Sequence, residues 1–210
     1  QKAFYYLQQV ESGNTEMVQK FKEITDICVE RQLQIFDTLD IHFDVFTHES
    51  DFVYNNYLDN ILKRLDKTGR LQEDELGRLY VDLSGYDIPT REPVLVLTRS
   101  NKTSLYPMRD IAYTIHKIEL NPKNNFIVLG EDQEVYMKQI SAVLDILGYK
   151  APKLISYSYV LLDGDKMSTS AGTVVLVTDF MKAVKNTLVN EFNKRNSEIS
   201  VDKLNILVNA

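Results

Sequence analysis

With 210 residues, 44% of them apolar, and no tract rich in proline or glycine, the chain has the make-up of a folded domain and not of a disordered or fibrous segment. A net charge of -6 argues against a protein whose main task is coating nucleic acid, while leaving local RNA contact open. No run approaches the roughly 18 uninterrupted apolar residues of a membrane span, and the single cysteine, Cys28, excludes an internal disulfide framework and fits a reducing, cytoplasmic setting.

The three histidines, His42, His48 and His116, stand apart, and neither HExxH nor CxxC spacing occurs, so no structural metal is expected. Gln1 to Val10 mixes aromatics with glutamines and has no apolar core of signal-peptide length. Gln1 is not an initiator methionine, and both ends fall in helix-like sequence. The chain is therefore expected to be a piece of a longer protein.

Residues 14 to 40 predict a helix, capped by Asn14 or Thr15, because Met17, Val18, Phe21, Ile24, Ile27, Cys28 and Leu33 recur at intervals of three and four. The alternation in IHFDVF, 41 to 46, predicts a short strand. A second helix is expected over Val53 to Lys67, burying Tyr54, Leu58, Ile61, Leu62 and Leu65 and stopped by Gly69. RLYVDL, 78 to 83, predicts a small β element after the turn at Glu75-Leu76-Gly77.

At Pro93 the pattern changes. Short apolar runs at Val94 to Leu97, Phe126 to Leu129 and Leu154 to Leu162 alternate with helical stretches at Arg109 to Leu120 and Val135 to Leu147. The face of the first helix is Ile111, Ala112, Ile115, Ile118 and Leu120, closed by Asn121-Pro122; the second is closed by Gly148. Non-alternating strands separated by helices predict crossover units and a parallel sheet covered on both faces. A doubly wound core is expected over roughly 93 to 162. Val174 to Val177 predicts one more short strand, and Phe180 to Lys194 a last helix. In such a sheet, ligands bind beyond the C-terminal ends of the strands, which directs attention to three places.

The first is Tyr106 to Asp110. Asp110 reads either as an ordinary first-turn acid favoured by the helix dipole or as the acceptor for a cationic substrate, with Tyr106 adding a directed hydroxyl. A carboxylate matches a guanidinium in a bidentate fork, while Arg109 reads as a structural ion-pair partner. The second is Gly130-Glu131-Asp132-Gln133. Glycine leaves room for a ligand, an acid there suits ribose hydroxyls, and Gln133 suits the polar end of an amino acid. A plain capped helix start fits the same residues. The third is LLDGDKMSTSAGTVVLV, 161 to 177. Lys166 followed by Ser168, Thr169, Ser170 and Gly172 suits a polyphosphate, and a polar surface turn fits equally well. GxxxxGK[ST] and GxGxxG are both lacking, which counts against a P-loop kinase or a dinucleotide dehydrogenase.

Together these blocks resemble the arginyl-tRNA synthetases, a branch of the class I aminoacyl-tRNA synthetases. Lys166-Met167-Ser168-Thr169-Ser170 resembles the KMSKS loop, SLYPMRDIA at 104 to 112 the branch's SLYxTRDIA block, and FIVLGEDQEVYMKQ at 126 to 139 its strand, glycine and QxxHxxQ segment. GRLYVDL at 77 to 83 is similar to the hairpin that precedes the catalytic strands, and FVYNNYLDNILKRLDKTG at 52 to 69 to a family helix. The resemblance covers almost the whole chain.

It implies activation of L-arginine with ATP, accompanied by Mg2+, to arginyl-adenylate, then transfer to tRNA(Arg). It implies that Tyr106 and Asp110 engage the guanidinium and Gln133 the amino or carboxylate end of arginine. Gly130 and Asp132 would face the ribose, the backbone at Val160 or Leu161 the adenine edge. Lys166, Ser168 and Ser170 would hold the phosphates as charge develops in the transition state. No nucleophilic side chain is required, because the arginine carboxylate attacks.

The implied fold is α/β: a partial doubly wound, Rossmann-like parallel sheet with an N-terminal helical and small-hairpin insertion and a C-terminal helix. Residues 1–92 form the helical segment and hairpin, 93–177 the second half of the core with the KMSKS-like loop, and 178–210 a connection toward an anticodon-binding domain. Three departures stand out: Tyr136 where the family has histidine, Thr169 where it has a second lysine, and Met108 where it has threonine. No His-x-Gly-His occurs, so the chain alone is expected to be inactive. The rival readings are another class I synthetase and a non-catalytic nucleotide-binding or regulatory paralogue.

Overall fold

The computed structural model describes residues 2–53, 57–120, 122–158, 161–162, 165–166, 175–194, 200, 202–203 and 206. The chain divides into two compact units, one of Gln1–Val18 with Thr47–Tyr159, the other of Gln19–Phe46 with Val160–Ala210.

In the first unit, helix α1 (Lys2–Glu11) is followed by a turn at Gly13, φ 79°, and by the first residues of α2 (Thr15–Thr38). Asn14 caps α2, its side-chain oxygen accepting the Met17 N–H at 3.1 Å. After α3 (Ser50–Val53) and α4 (Tyr57–Lys67) comes an antiparallel meander of β1 (Leu71–Glu73), β2 (Leu79–Asp82) and β3 (Val94–Val96). Tyr80 pairs with Gln72 on one side and Val96 on the other. Then follow α5 (Tyr106–Glu119), β4 (Phe126–Gly130), a 3₁₀ turn (Glu131–Gln133), α6 (Glu134–Ile146) and β5 (Lys153–Tyr157). The β4 and β5 strands pair in parallel, Phe126 opposite Lys153 and Gly130 opposite Tyr157, with α6 as the crossover.

β3 departs from expectation. Val94 to Leu97 was to be a parallel strand, yet it is the third strand of the antiparallel meander. The connection from β2 explains why. Residues 83–93 carry Pro89 and Pro93 and no helix, and the Leu83 N–H closes the loop on the Pro93 carbonyl at 2.7 Å. A parallel return would need a crossover element of a dozen or more residues. The chain is α/β with both parallel and antiparallel pairing.

Leu65, Val81, Leu83, Leu97, Met108, Ile111, Val143 and Leu144 are wholly buried in a core that α4, α5, α6 and the meander share. Removing such area from water stabilises by about 25 cal/mol per Å². Ile111, Ala112 and Ile115 are buried as the periodicity predicts, while Leu120 at the end of that stripe is exposed. Along β4, Ile127 and Leu129 pack toward the core whereas Phe126 and Val128 are exposed; Ile155 and Tyr157 of β5 are exposed too. Within this unit's described residues, the core covers the face of the pair that carries Ile127, Leu129 and Leu154.

At the far end of α4, Arg64 donates to the Tyr149 hydroxyl at 2.7 Å and to the Leu147 carbonyl at 3.0 Å. The Tyr57 and Tyr149 hydroxyls both donate to the Glu119 carboxylate, at 3.1 and 3.2 Å. This network ties the first residue and the last turn of α4 to the C-terminal ends of α5 and α6. The Gln139 amide of α6 donates to the Val94 carbonyl at 3.0 Å, joining that helix to the first residue of β3.

The second unit holds most of α2, the hairpin of β6 (Leu161–Leu162) and β7 (Asp165–Lys166), and α7 (Val177–Lys194). No described residue of α2 is buried, so its apolar stripe at Phe21, Ile24 and Ile27 is not the core face its period suggests. IHFDVF forms no strand. Asp40, at φ 54°, turns the chain, and Phe43 stacks edge-on against Phe36 and Phe46 at 5.1 and 5.9 Å. Its alternation serves an aromatic cluster and not a ladder. Val177 opens α7 in place of the expected strand, with the Asp179 and Phe180 N–H groups both donating to the Leu176 carbonyl at 3.0 Å.

Candidate active site

Helix α5 starts three residues earlier than its apolar period predicts. Leu105 is extended, Pro107 occupies the first turn, where its missing N–H leaves no gap in the ladder, and the Met108 N–H donates to the Leu105 carbonyl at 3.1 Å. Tyr106, Arg109 and Asp110 therefore share one turn. Buried Met108, Ile111 and Ala112 fix its rotation, leaving Tyr106, 69% exposed, on the open side. Positions 106 and 110 are i and i+4, hence on one face.

Arg109 is held on both sides. Its Nε pairs with Glu49, just before α3, and its guanidinium lies over the Tyr106 ring at 5.0 Å. The sequence reading of Arg109 as an ion-pair partner stands. Tyr106 is in turn braced by a cation–π contact.

The second cluster lies where β4 ends. Gly130 has ordinary backbone angles, φ -62° and ψ 151°, so no conformational demand calls for glycine there. Space does: a Cβ would stand 2.7 Å from Asp132 Oδ1. Gln133 donates to Asp132 Oδ2 at 2.7 Å, and the Ser158 hydroxyl donates to Glu131 Oε2 at 2.9 Å, binding the turn to the chain just past β5. Asp132 and Gln133 form one hydrogen-bonded unit at the C-terminal end of a parallel strand, where ligands of such sheets bind.

Tyr136 joins the two clusters. From the first turn of α6 its hydroxyl donates to Asp110 Oδ2 on the first turn of α5. Burial, and next the bond to a carboxylate, push the phenol well above its ordinary range, so it keeps its proton at neutral pH. In the sequence Tyr136 stands out only as a departure from a family histidine. Its place three residues after Gln133 in a helix start was the available signal that it faces the same end of the sheet.

Of the remaining residues, Leu161 is exposed in β6, paired with Lys166 of β7. Val160, Ser168 and Ser170 lie outside the described residues. Among the described residues no group of three or more His, Cys, Asp or Glu converges as metal ligands would, and no helix is long and apolar enough to cross a membrane. The arrangement at α5 and α6 offers a fixed, half-buried carboxylate beside an exposed phenol, which suits a cationic group.

The family model for class I tRNA synthetases (R), catalytic domain, matches residues 1–210. A relative named arginine–tRNA ligase from Methanococcus aeolicus is 34% identical over 190 residues, covering 90% of this chain and 32% of its own length. One of the same name from Methanothermobacter thermautotrophicus is 32% identical over 191 residues, covering 90% and 32%. The chain thus spans about a third of the length of these curated relatives. The solved Thermus thermophilus arginyl-tRNA synthetase superimposes with a TM-score of 0.76 at 19% identity, covering 97% of this chain and 40% of that one. That likeness is one of fold.

Proposed function

The chain belongs to the class I tRNA synthetase (R) catalytic-domain family, and from that membership we propose that its full-length protein activates L-arginine with ATP and transfers arginyl to tRNA(Arg). The observation that supports the arginine reading is the Asp110 carboxylate, held by Tyr136 one helical turn from the Tyr106 phenol. Asp110 and Tyr106 receive the guanidinium, and Gln133 the amino or carboxylate end. A half-buried carboxylate is an acceptor that a guanidinium fork fits well.

Gly130 and Asp132 are assigned to the ribose, and the backbone at Val160 or Leu161 to the adenine edge. Lys166, Ser168 and Ser170 are assigned to the phosphates, and Lys166 at least is chemically suited to them. A lysine and hydroxyls are not divalent-cation ligands of the carboxylate type, so Mg2+ enters as the ion carried by the ATP phosphates. In the reaction, an arginine carboxylate oxygen bonds to the α-phosphorus as the α–β phosphoanhydride bond breaks, releasing pyrophosphate. A ribose hydroxyl of the tRNA then displaces AMP. The protein's work is positioning and electrostatic stabilisation of the phosphorus centre. The sheet is proposed to be the second half of a doubly wound core, and the enzyme to act in the cytoplasm with the rest of translation.

The test is Asp110→Ala in the full-length protein, assayed by arginine-dependent ATP–pyrophosphate exchange. Loss of exchange at arginine concentrations that saturate the parent is expected. An unchanged arginine KM and kcat would remove Asp110, and with it the arginine pocket, from the assignment.

A further inference from the structure

An aspartate carboxylate turns about a broad terminal torsion, so its plane is defined only by what binds it. In this fold the binder is Tyr136, reaching from α6 to Asp110 on α5, and both helices are rotationally fixed by buried residues, Met108 and Ile111 in one, Met137 and Ile140 in the other. The donor is neutral. A lysine or arginine at 136 would cancel the charge of Asp110, whereas a phenol satisfies one acceptor position and leaves the negative charge for a ligand.

Ligands differ in what they ask of that carboxylate. A guanidinium is a planar fork and gains most when the carboxylate lies in its own plane. An ammonium is a compact point charge with three rotatable donors and is indifferent to that plane.

We propose that Tyr136 is a positioning residue for specificity, fixing the plane of the Asp110 carboxylate from a second helix so that it favours a guanidinium over an ammonium. The inference rests on the reading of Asp110 as the acceptor of arginine. It gives Tyr136 a role that its phenol can fill, since the hydroxyl at the end of the ring reaches Asp110 from the neighbouring helix.

The experiment uses the full-length protein carrying Tyr136→Phe, Tyr136→His or Asp110→Ala. ATP–pyrophosphate exchange gives the KM for arginine and the inhibition constant of lysine as a competitor. Tyr136→Phe is expected to raise the arginine KM roughly tenfold, the effect of losing a hydrogen bond to a charged group. The lysine inhibition constant should move by no more than about twofold, since an ammonium has no plane to match. Tyr136→His, which restores an N–H donor, is expected to recover most of the arginine preference. An unchanged arginine KM in Tyr136→Phe, or equal losses for arginine and lysine, would overturn the inference. If Asp110→Ala abolishes exchange while Tyr136→Phe does not weaken arginine selectively, only the role of Tyr136 fails. If Asp110→Ala is without effect, the reading of the pocket fails first.

Discussion

Gly130 and Asp132 are so placed that a methyl group on the first would stand 2.7 Å from a carboxylate oxygen of the second. The contact is to the end of a side chain, so Gly130→Ala is compatible with folding, but Asp132 must swing away, and Gln133, bonded to it at 2.7 Å, loses its partner. With Asp132 assigned to the ribose, the full-length Gly130→Ala protein is expected to show an ATP KM raised by about five- to tenfold, the scale of one lost hydrogen bond. Steady-state exchange at varied ATP checks it, and an unaltered ATP KM would detach Gly130 and Asp132 from nucleotide binding.

The purified 210-residue chain is expected to catalyse no arginine-dependent ATP–pyrophosphate exchange. It contains no His-x-Gly-His, and a transition state of phosphoryl character needs donors around the phosphorus that one lysine and neighbouring hydroxyls do not complete. Exchange above the buffer blank, dependent on L-arginine and lost in Lys166→Ala, would contradict this.

Alkaline pH should loosen the network at the ends of α4, α5 and α6. Burial first, then the bond to Glu119, raise the Tyr57 phenol above its ordinary value of 10.0. A raised folded value means the stabilisation is complete below about pH 10 and is lost as pH climbs through the folded value. Urea midpoints are therefore expected to hold steady to about pH 9 and fall beyond about pH 10. Tyr57→Phe should make that alkaline limb shallower without abolishing it, because Tyr86 and Tyr136 are raised as well. An identical limb in the parent and Tyr57→Phe proteins would show that Tyr57 ionises as freely folded as unfolded.

Much of this fold is written in local pattern. The stripe Ile111, Ala112, Ile115 and the stops at Gly69 and Gly148, both at positive φ, locate helices correctly because period and terminator act within a few residues. Strand direction is not local. Val94 to Val96 is equally apolar in a parallel or an antiparallel sheet, and only the short, proline-bearing link from β2 decides between them. The period of α2 was legible and its burial was not, since Phe21, Ile24 and Ile27 are exposed while obeying the rule for a buried face. At the site, Asp110 could be found by its place at a helix start. Its partner Tyr136 lies 26 residues away, a separation that only the packing of α5 on α6 closes.

The bond from Gln139 to Val94 has a mechanical consequence. Among the described residues no strand ladder includes both β3 and β4, so no run of ladder hydrogen bonds there transmits strain from the meander to the parallel pair. Side-chain bonds to the intervening helix do so instead, from Gln139 to the Val94 carbonyl and from the Tyr86 hydroxyl, on the β2–β3 connection, to Asp145 at 2.8 Å, beside the shared apolar core. Hydrogen exchange should find the amides of β2, β3 and α6 opening together, as one cooperative unit and not as two sheets that fray separately. The strand ends where the ligand is proposed to bind would then be carried on a body that moves, when it moves, as a whole.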